Sequence, residues 1–384
     1  MKITERVLLA KLFLAFTGKH TYYRKRNERK GRRRLNDGLR ELVDRLGSGG
    51  ALTPQEYTEL LRFRDGEVSA LLLEHVEALR KSGFGNELYP MGTIDISSYC
   101  KNNCYYCGLR RENRFAQRYR LEINEIMKCC ENGWSKGIRS VLLQGGEDLL
   151  YTPDKIADII SEIRRQWSDI AIFLSLGEKS MAVYEKWKRA GADGYILCCE
   201  SSKDSAYRKL HPAKMSLLRR KQCLWELKEL GYILGSGFLI GTPYQKVSEM
   251  AEEFLFLRQL APELVLTGTF LPADGTPFEG ERMGLADLTD YMISLLRLTF
   301  PNLYLPVAQS LAAIDKDGNV NGVRAGADVI LTDLTPADKR QEYHCFRKRL
   351  LRGKIGIEDF GSQLDKLEEA GYAAAGIDRK IARR

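Results

Sequence analysis

The stretch Gly92-Thr-Ile-Asp-Ile-Ser-Ser-Tyr-Cys-Lys-Asn-Asn-Cys-Tyr-Tyr-Cys107 decides how the rest of the chain is interpreted. Its segment Thr93–Ser97 has the residues and alternation of a strand, and three cysteines follow in a C-x-x-x-C-x-x-C run. Thiolates are soft ligands that suit iron–sulfur clusters, so Cys100, Cys104 and Cys107 are predicted to bind three irons of a cubane cluster. The fourth iron is left without a protein ligand, which indicates chemistry at the metal rather than electron storage alone.

A zinc knuckle is the alternative interpretation of the same cysteines, and it requires a fourth Cys or His at short spacing. The nearest histidine on the N-terminal side is His75, and the nearest downstream thiol is Cys129. Neither has the spacing of a zinc knuckle. The sequence therefore favours the iron–sulfur cluster.

The composition of the 384-residue chain is that of a large globular protein. Nine cysteines without a recognisable secretory signal predict a reducing compartment, where clustered thiols serve metal binding or catalysis, and hence a cytoplasmic location. No apolar run reaches the length of a transmembrane helix, so we expect no membrane span.

The net charge of +9 is concentrated near the N-terminus. Eight basic residues and one acidic residue lie between Arg24 and Arg34, which leaves the remaining chain nearly neutral. A nucleic-acid enzyme spreads basic charge along its working face, so no nucleic-acid partner is expected. The apolar run Val7–Phe16 could form a membrane-surface helix with this basic segment, but we favour a solvated basic tail over residues 1–36.

The pattern from Gly92 onward alternates between strands and helices, which predicts an α/β fold with a parallel sheet. Eight strands indicate a complete TIM-type (βα)8 barrel with its active site at the C-terminal strand ends. The predicted strands are Thr93–Ser97, Ser140–Gln144, Ala171–Ser175, Gly194–Leu197, Ile233–Ile240, Leu264–Thr269, Leu303–Val307 and Val329–Leu331. The predicted helices between them are Ile123–Asn132, Lys155–Trp167, Met181–Ala190, Leu217–Leu230, Val247–Leu260 and Leu288–Leu298.

The segments outside the barrel are expected to be helical. Residues 37–83 form a helical extension, in which Thr53-Pro54-Gln55-Glu56 has the residues of a helix start. The barrel takes residues 84–348, and a C-terminal tail over 349–384 contains a predicted helix from Ile357 to Ala370.

The residues from Gly92 to Leu121 resemble the signature of the radical S-adenosylmethionine (SAM) enzymes, and more narrowly that of the HydE hydrogenase maturase family. Methylornithine synthase belongs with that family, and biotin synthase is more distant. The resemblance implies a radical SAM barrel, a [4Fe-4S] cluster and SAM as cofactors, a 5′-deoxyadenosyl radical, and a small-molecule substrate. It also implies a reductant such as ferredoxin or flavodoxin.

The resemblance also implies which residues bind SAM. Gly145, Gly146 and Glu147, at the end of the second predicted strand, match the motif for the methionine amino group, and an ordinary strand-to-helix turn is the alternative. The other implied SAM contacts are Ser175 for the ribose, Glu200 for the ammonium group, Arg220 for the carboxylate, and Tyr106 and the Ile240 strand for the adenine. Each of these has an alternative interpretation: Ser175 as a helix cap, Glu200 as part of an ion pair at the barrel rim, Arg220 as a surface arginine, and the Ile240 segment as a plain buried strand.

The chain departs from its relatives where they contact substrate. The maturase has Arg-His-Glu-Thr after the fourth strand, whereas this chain has Cys198-Cys199-Glu200-Ser201. The Thr-Thr pair of the maturase appears as Ala308-Gln309, and the amino-acid-binding Asp of methylornithine synthase falls near Ser310. Neither substrate pocket is reproduced, so the substrate can differ from both.

Three functions remain open from the sequence, besides a nucleic-acid-modifying enzyme, which is suggested only by the basic N-terminal run. The first is a HydE-like enzyme, with a role in assembling the [FeFe]-hydrogenase cofactor. The second is an amino-acid mutase like methylornithine synthase, and the third is a non-catalytic iron–sulfur sensor. Cys198 and Cys199 could contribute to chemistry, but small apolar filler at a strand end is the favoured interpretation. A second cluster in the tail is not expected, because Cys345 is the only thiol after Cys223.

Overall fold

The computed structural model describes residues 37–83, 85–342 and 356–375. The predicted basic tail over residues 1–36 and Cys345 lie outside these ranges. Among the helices in the described ranges, none combines the length and the apolar character needed to cross a membrane.

The N-terminal extension consists of three helices, α1 (37–47), α2 (Pro54–Arg62) and α3 (Gly66–Ser82). The predicted start of α2 is confirmed. The Thr53 hydroxyl accepts from the Glu56 amide at 3.3 Å, and Glu56 Oε2 accepts from the Thr53 amide at 2.8 Å, which is a reciprocal capping box.

The barrel is built from eight parallel strands and the helices between them. The strands are β1 (Glu87–Ser97), β2 (Ser140–Gly145), β3 (Ala171–Ser175), β4 (Gly194–Ile196), β5 (Ile233–Ile240), β6 (Leu264–Thr269), β7 (Pro306–Val307) and β8 (Val329–Asp333). The helices are α4 (Ile123–Ser135), α5 (Pro153–Gln166), α6 (Met181–Ala190), α7 (Asp204–Leu210), α8 (Leu217–Glu229), α9 (Val247–Leu260), α10 (Ala286–Thr299), α11 (Gln309–Ile314), α12 (Gly318–Arg324) and α13 (Ala337–Glu342).

The barrel closes because β1 pairs with both β2 and β8. The strands follow one another around the barrel in chain order, and every pairing is parallel. A short 3₁₀ turn (Ile357–Asp359) and α14 (Phe360–Glu369) lead to β9 (Ala373–Ala374), which pairs with the start of β1. The predicted eight-stranded (βα)8 barrel is confirmed.

The interior of the barrel changes from apolar to polar along the strand direction. Successive side chains of a strand point to opposite faces. The lower interior is an apolar cluster that includes Tyr89, Met91, Leu142, Phe173 and Leu331. Two and four residues further along the same faces come Thr93, Asp95, Gln144 and Ser175, where Gln144 Nε2 donates to Asp95 Oδ1 at 2.8 Å. The upper interior is therefore the polar part of the barrel, at the edge where the predicted site lies.

The N-terminal helices pack on the outside of the barrel. The ring of Tyr57 stacks on that of Phe254 in α9 with centroids 4.0 Å apart, and the Tyr291 hydroxyl of α10 donates to the Leu60 carbonyl at 3.0 Å. At the lower end, the buried guanidinium of Arg80 donates to the carbonyls of Val323 and Ala327, at 2.9 and 2.5 Å. The extension thus shares its apolar core with α9 and α10 and covers part of the barrel floor.

Candidate functional site

The three predicted cluster cysteines lie in one loop that leaves the C-terminal end of β1. Two backbone hydrogen bonds attach this loop to its neighbours: the Lys101 amide donates to the Glu147 carbonyl at 3.0 Å, and the Tyr105 amide donates to the Leu210 carbonyl at 2.8 Å. A third closes the loop on itself, from the Arg111 amide to the Asn102 carbonyl at 2.8 Å. The cysteine loop is therefore attached to the turn after β2 and to the end of α7.

The thiols of Cys100, Cys104 and Cys107 share one partly buried space. Burial raises the pKa of each, and the neighbouring thiols raise those of Cys104 and Cys107 further, to about 12 for Cys107. Thiolates so placed repel one another, so the deprotonated set requires a cation among them. Three soft anionic donors in one space fit an iron–sulfur cluster.

No group of three or more His, Cys, Asp and Glu side chains in the described parts of the chain is arranged to hold a single metal ion. Each thiolate of a cubane cluster binds a different iron, so its three sulfurs do not have to meet at one point. A zinc ion would need them to meet. Three separate thiols therefore suit a cluster, in which each would bind its own iron.

Arg118 braces the cysteine loop and was not predicted from the sequence. Its guanidinium donates to the carbonyls of Leu109 at 2.9 Å and Arg110 at 2.6 Å, and also to that of Ser98. Electrostatic interaction with the Cys100 and Cys107 thiols favours the charged form of Arg118, although burial lowers its pKa. Arg118 thus combines backbone anchoring with a positive charge beside two of the three cysteines.

The Gly145-Gly146-Glu147 turn packs directly against the cysteine loop. A β-carbon on Gly146 would collide with the Tyr99 carbonyl oxygen and would lie 2.7 Å from the Cys100 β-carbon. The Glu147 carboxylate is buried and engaged by the loop, accepting from Asn102 Nδ2 at 2.9 Å and lying 3.0 Å from Lys101 Nζ. The side chain of Glu147 therefore supports the cysteine loop.

Glu200 follows β4 and has left-handed backbone geometry, with a φ of 62°. Such geometry is strained for a residue other than glycine and is concentrated at functional sites. Its carbonyl accepts from the Leu239 amide at 3.2 Å, which ties it to β5. Burial raises the pKa of its carboxyl to about 7, against the opposing effects of the Arg220 guanidinium and a hydrogen bond from Tyr106.

Glu253 of α9 holds the residues that follow Glu200. Its carboxylate accepts from the Ser202 amide at 2.8 and 3.1 Å and from the Ser201 hydroxyl at 3.2 Å. Glu253 is buried, and burial raises the pKa of its carboxyl to about 7. This carboxyl therefore links the strained Glu200 backbone to the outer helix layer.

The raised pKa of Glu253 predicts a pH-dependent stability. The unfolded chain releases the Glu253 proton near the ordinary pKa of 4.5, and the folded chain releases it only near 7. The protonated carboxyl therefore contributes its full share to the free energy of unfolding below pH 4.5, and this share is lost as the pH rises to 7. The loss is about 3 kcal/mol, from 1.36 kcal/mol per pKa unit. We expect Glu253→Gln to match the wild type in urea unfolding at pH 4.5 and to be more stable at pH 8. A stability difference that is the same at both pH values would contradict this prediction.

Arg220 reaches the same site from α8. Its Nε donates to Glu178 Oε1 at 2.7 Å and its Nη1 to the Cys198 carbonyl at 3.0 Å, and the side chain is almost fully buried. These two bonds fix the guanidinium plane and leave further N–H groups for an anionic ligand. The surface-arginine alternative is therefore wrong. The pairing role of Glu178 was missed, although the residue lies only three positions after Ser175, which was predicted to contact the ribose.

Electrostatic interactions join these residues into one site. The charge of Arg220 acts on Glu200, Tyr106 and Cys104. Ser175 lies at the same edge, paired in register with Gln144. The Ile240 side chain differs, because it is buried in the outer apolar core and its carbonyl already accepts from the Phe270 amide at 2.8 Å. The structure thus gathers the predicted residues except for the side chain of Ile240.

The two cysteines after β4 have different surroundings. The Cys199 side chain is buried in the apolar core between the barrel and its helices. Cys198 is only partly buried and packs on the apolar cluster of the barrel interior, beside Gly237, where a β-carbon would lie 3.0 Å from its sulfur. Cys199 is therefore packing, and Cys198 borders the interior of the barrel.

Comparison with known proteins agrees with this geometry. The radical SAM superfamily matches residues 94–257. The [FeFe] hydrogenase maturase subunit HydE of Thermotoga maritima is 36% identical over 318 residues, which cover 83% of this chain and 89% of that protein. The 3-methylornithine synthase of Methanosarcina barkeri is 30% identical over 313 residues, covering 80% of this chain and 86% of that one.

Solved structures show the same architecture. The crystal structure of methylornithine synthase (PylB) superposes with a TM-score of 0.77 at 29% identity, over 87% of this chain and 97% of that one. The structure of HydG, a maturase of the [FeFe]-hydrogenase, has a TM-score of 0.78 at 20% identity, which supports the fold alone. The sensor alternative is excluded by these relatives, which are enzymes. The chain therefore belongs to the radical SAM superfamily and, within it, to the family of the HydE maturase, whose members bind a [4Fe-4S] cluster and SAM.

Proposed function

We propose that this HydE-like enzyme uses Cys100, Cys104 and Cys107 to hold the cluster and acts on a small molecule enclosed by the barrel. The observation that carries the proposal is the attachment of the cysteine loop to the Gly145-Gly146-Glu147 turn, with Arg220 and Glu200 in electrostatic contact with that loop. A sensor needs only the cysteines. The added turn, guanidinium and carboxylate are the groups that an amino-acid-bearing ligand such as SAM requires.

When bound, the reduced cluster and SAM supply a 5′-deoxyadenosyl radical that can abstract hydrogen from the substrate or add to it. The residues of the chain bind and orient SAM for this chemistry. Arg220 offers its remaining N–H groups to the SAM carboxylate, Glu200 pairs with the ammonium group once ionised, and the Gly145–Gly146 backbone accepts from the same ammonium. Tyr106, which donates to Glu200, holds that carboxylate beside the cysteine loop.

The barrel interior is the proposed place for the substrate. Its closed wall excludes water from a reactive intermediate, and its upper half presents Thr93, Asp95, Gln144 and Ser175. Gln309 Nε2 donates to Thr93 Oγ1 at 2.8 Å on the same side. The opposite wall carries Cys198 in place of the arginine of the maturase resemblance. The substrate is therefore one that contacts polar groups on the β1–β2 side and a small apolar surface on the β4 side.

Assembly of the [FeFe]-hydrogenase cofactor is the role we propose first, because the identity to the HydE maturase is 36% over most of both chains, against 30% to 3-methylornithine synthase. A methylornithine synthase-like mutase is the second candidate. It is supported by the superposition on the PylB structure at 29% identity and by the 30% identity to 3-methylornithine synthase.

A one-electron donor protein is part of the proposal, because reductive cleavage of SAM needs an electron. The surface beside the cysteine loop carries exposed Lys101, Arg111 and Arg114 and the ring of Phe115, which is 74% exposed. Basic and aromatic groups so close to the cluster ligands suit an acidic carrier such as a flavodoxin or ferredoxin.

The test is anaerobic reconstitution with iron and sulfide, followed by SAM and dithionite. We expect 5′-deoxyadenosine as the product, and its absence from a fully loaded protein would contradict the proposed function. Replacing dithionite by a reduced flavodoxin should sustain cleavage if the donor proposal holds.

The two candidate roles are separated by two further assays. Restored hydrogenase activity in a maturation system that lacks HydE would support the first. Formation of 3-methylornithine from an isomeric amino acid would support the second.

A further inference from the structure

The proton of the buried Tyr207 hydroxyl has no acceptor among the residues that the structure describes, while its oxygen interacts with the Arg220 guanidinium. Its ring is held in place, because it stacks on the His211 imidazole with centroids 3.9 Å apart and an interplanar angle of 18°. His211 Nδ1 lies 2.9 Å from the Tyr207 carbonyl, and since a carbonyl can only accept, Nδ1 carries the proton. The hydroxyl therefore cannot find a partner by a simple rotation of the ring.

A buried hydroxyl without a partner loses its hydrogen bonds to water and gains nothing in return. Most buried polar groups in proteins avoid this cost, so an exception calls for an explanation. The other buried tyrosines around this site do avoid it. The Tyr232 hydroxyl donates to the Tyr184 carbonyl at 2.6 Å, and the Tyr195 hydroxyl donates to the Gly177 carbonyl at 2.7 Å.

The surroundings of the hydroxyl identify the missing partner as an anion. The charged and ionisable groups that act on it are Arg220, Glu178 and Cys104. Arg220 can only donate, so even a contact with the phenol oxygen leaves the phenol proton without an acceptor. The Glu178 carboxylate is already engaged by Arg220 Nε. The proton is therefore left without an acceptor beside the positive charge of Arg220.

We propose that Tyr207 is a SAM-binding residue whose hydroxyl donates a hydrogen bond to the SAM carboxylate beside Arg220. This inference rests on the proposed function, because it assumes that Arg220 receives that carboxylate. The Tyr207 hydroxyl and the Arg220 guanidinium then donate to the same SAM carboxylate from different directions. The guanidinium neutralises its charge, and the two donors together fix its orientation. His211 acts behind it as a positioning residue, since its ring fixes the direction of the Tyr207 ring.

The test compares Tyr207→Phe with the wild type, both cluster-loaded and matched in iron content. We expect the variant to bind SAM about tenfold more weakly, because a hydrogen bond to a charged group is lost. The dissociation constant is measured by equilibrium dialysis with labelled SAM. The second probe is 5′-methylthioadenosine, which lacks the amino and carboxylate groups, and its affinity should be the same for both proteins.

Tyr232→Phe is the matched control. It removes a buried hydroxyl that has a partner, so it should lower the melting temperature and leave SAM affinity unchanged. Tyr207→Phe removes a hydroxyl whose proton has no acceptor, so it should lower the melting temperature of the ligand-free protein less than Tyr232→Phe does. Unchanged SAM affinity in Tyr207→Phe, or an equal loss for both probes, would overturn the inference. The proposed function fails separately, if the wild type itself neither binds nor cleaves SAM.

Discussion

Alanine in place of Cys104 is expected to reduce 5′-deoxyadenosine formation to the background measured without protein. Cys104 lies between the other two cysteines in the run, and both of their thiols raise its pKa, so it interacts with each of them. Two thiolates leave two irons without protein ligands, and the cluster is then not retained. The measurement is iron and sulfide content after reconstitution, the visible absorption of the cluster, and deoxyadenosine yield with dithionite.

Cys130→Ala is the control for loss of a buried cysteine. Cys130 is fully buried in α4, and its burial raises the pKa of its thiol, so it contributes packing rather than a ligand. This variant should load the cluster and cleave SAM like the wild type. Cluster retention in Cys104→Ala with normal cleavage would show that the metal is held by other residues.

Alanine at Gly146 is the second substitution expected to have a large effect. Its β-carbon would collide with the Tyr99 carbonyl, which is backbone and cannot rotate away, and it would also press on Cys100. The turn and the cysteine loop would have to separate, which would weaken the bond from the Lys101 amide to the Glu147 carbonyl. We expect iron loading to fall severalfold and the melting temperature to drop by several degrees, in line with overpacking costs of about 1–3 kcal/mol.

The matched glycine control is Gly66→Ala at the first turn of α3. No atom lies within 4 Å of a β-carbon built there, and alanine favours the helix over glycine. This variant should be as stable as the wild type or slightly more stable, with normal iron content. A Gly146→Ala protein with normal iron content would mean that the turn and the loop are not as tightly packed as the structure shows.

Much of the barrel could be predicted because long, strongly patterned elements carry their own signal. Ala171–Ser175, Ile233–Ile240 and Val247–Leu260 have the predicted boundaries. The seventh strand is shorter than predicted, and forms a ladder only at Pro306–Val307 after a single bridge at Tyr304. The Leu305 amide donates to Asp328 Oδ1 at 2.7 Å instead of to a neighbouring strand, which accounts for part of this shortening.

The short helices were missed for a different reason. Helices α7, α11, α12 and α13 have six or seven residues each, too few for a helical period to be recognised. Helix α7 matters for function, because it carries Tyr207 and its last residue, Leu210, anchors the cysteine loop. A prediction based on periodicity alone therefore leaves out one wall of the site.

The candidate site was predictable where a motif has fixed spacing, as in the cysteine run and the Gly-Gly-Glu turn. It was not predictable where a residue acts through tertiary contacts. Arg118 and Glu178 are ordinary charged residues in the sequence, and only folding brings them to the loop carbonyls and to Arg220. Glu147 shows the same limit, because the motif gives its position but not the use of its carboxylate by Asn102 and Lys101.

The anchoring of the cysteine loop to Glu147 and Leu210 has a consequence for repair after oxygen damage. These hydrogen bonds join protein groups only, so the cysteine loop keeps its conformation when the inorganic core, the iron–sulfur cluster, is destroyed. Rebuilding that core then requires fresh iron, sulfide and reduced thiols, but no refolding of the surrounding chain. Air-inactivated enzyme should therefore be recoverable by anoxic reloading, provided that its sulfurs have not been oxidised irreversibly.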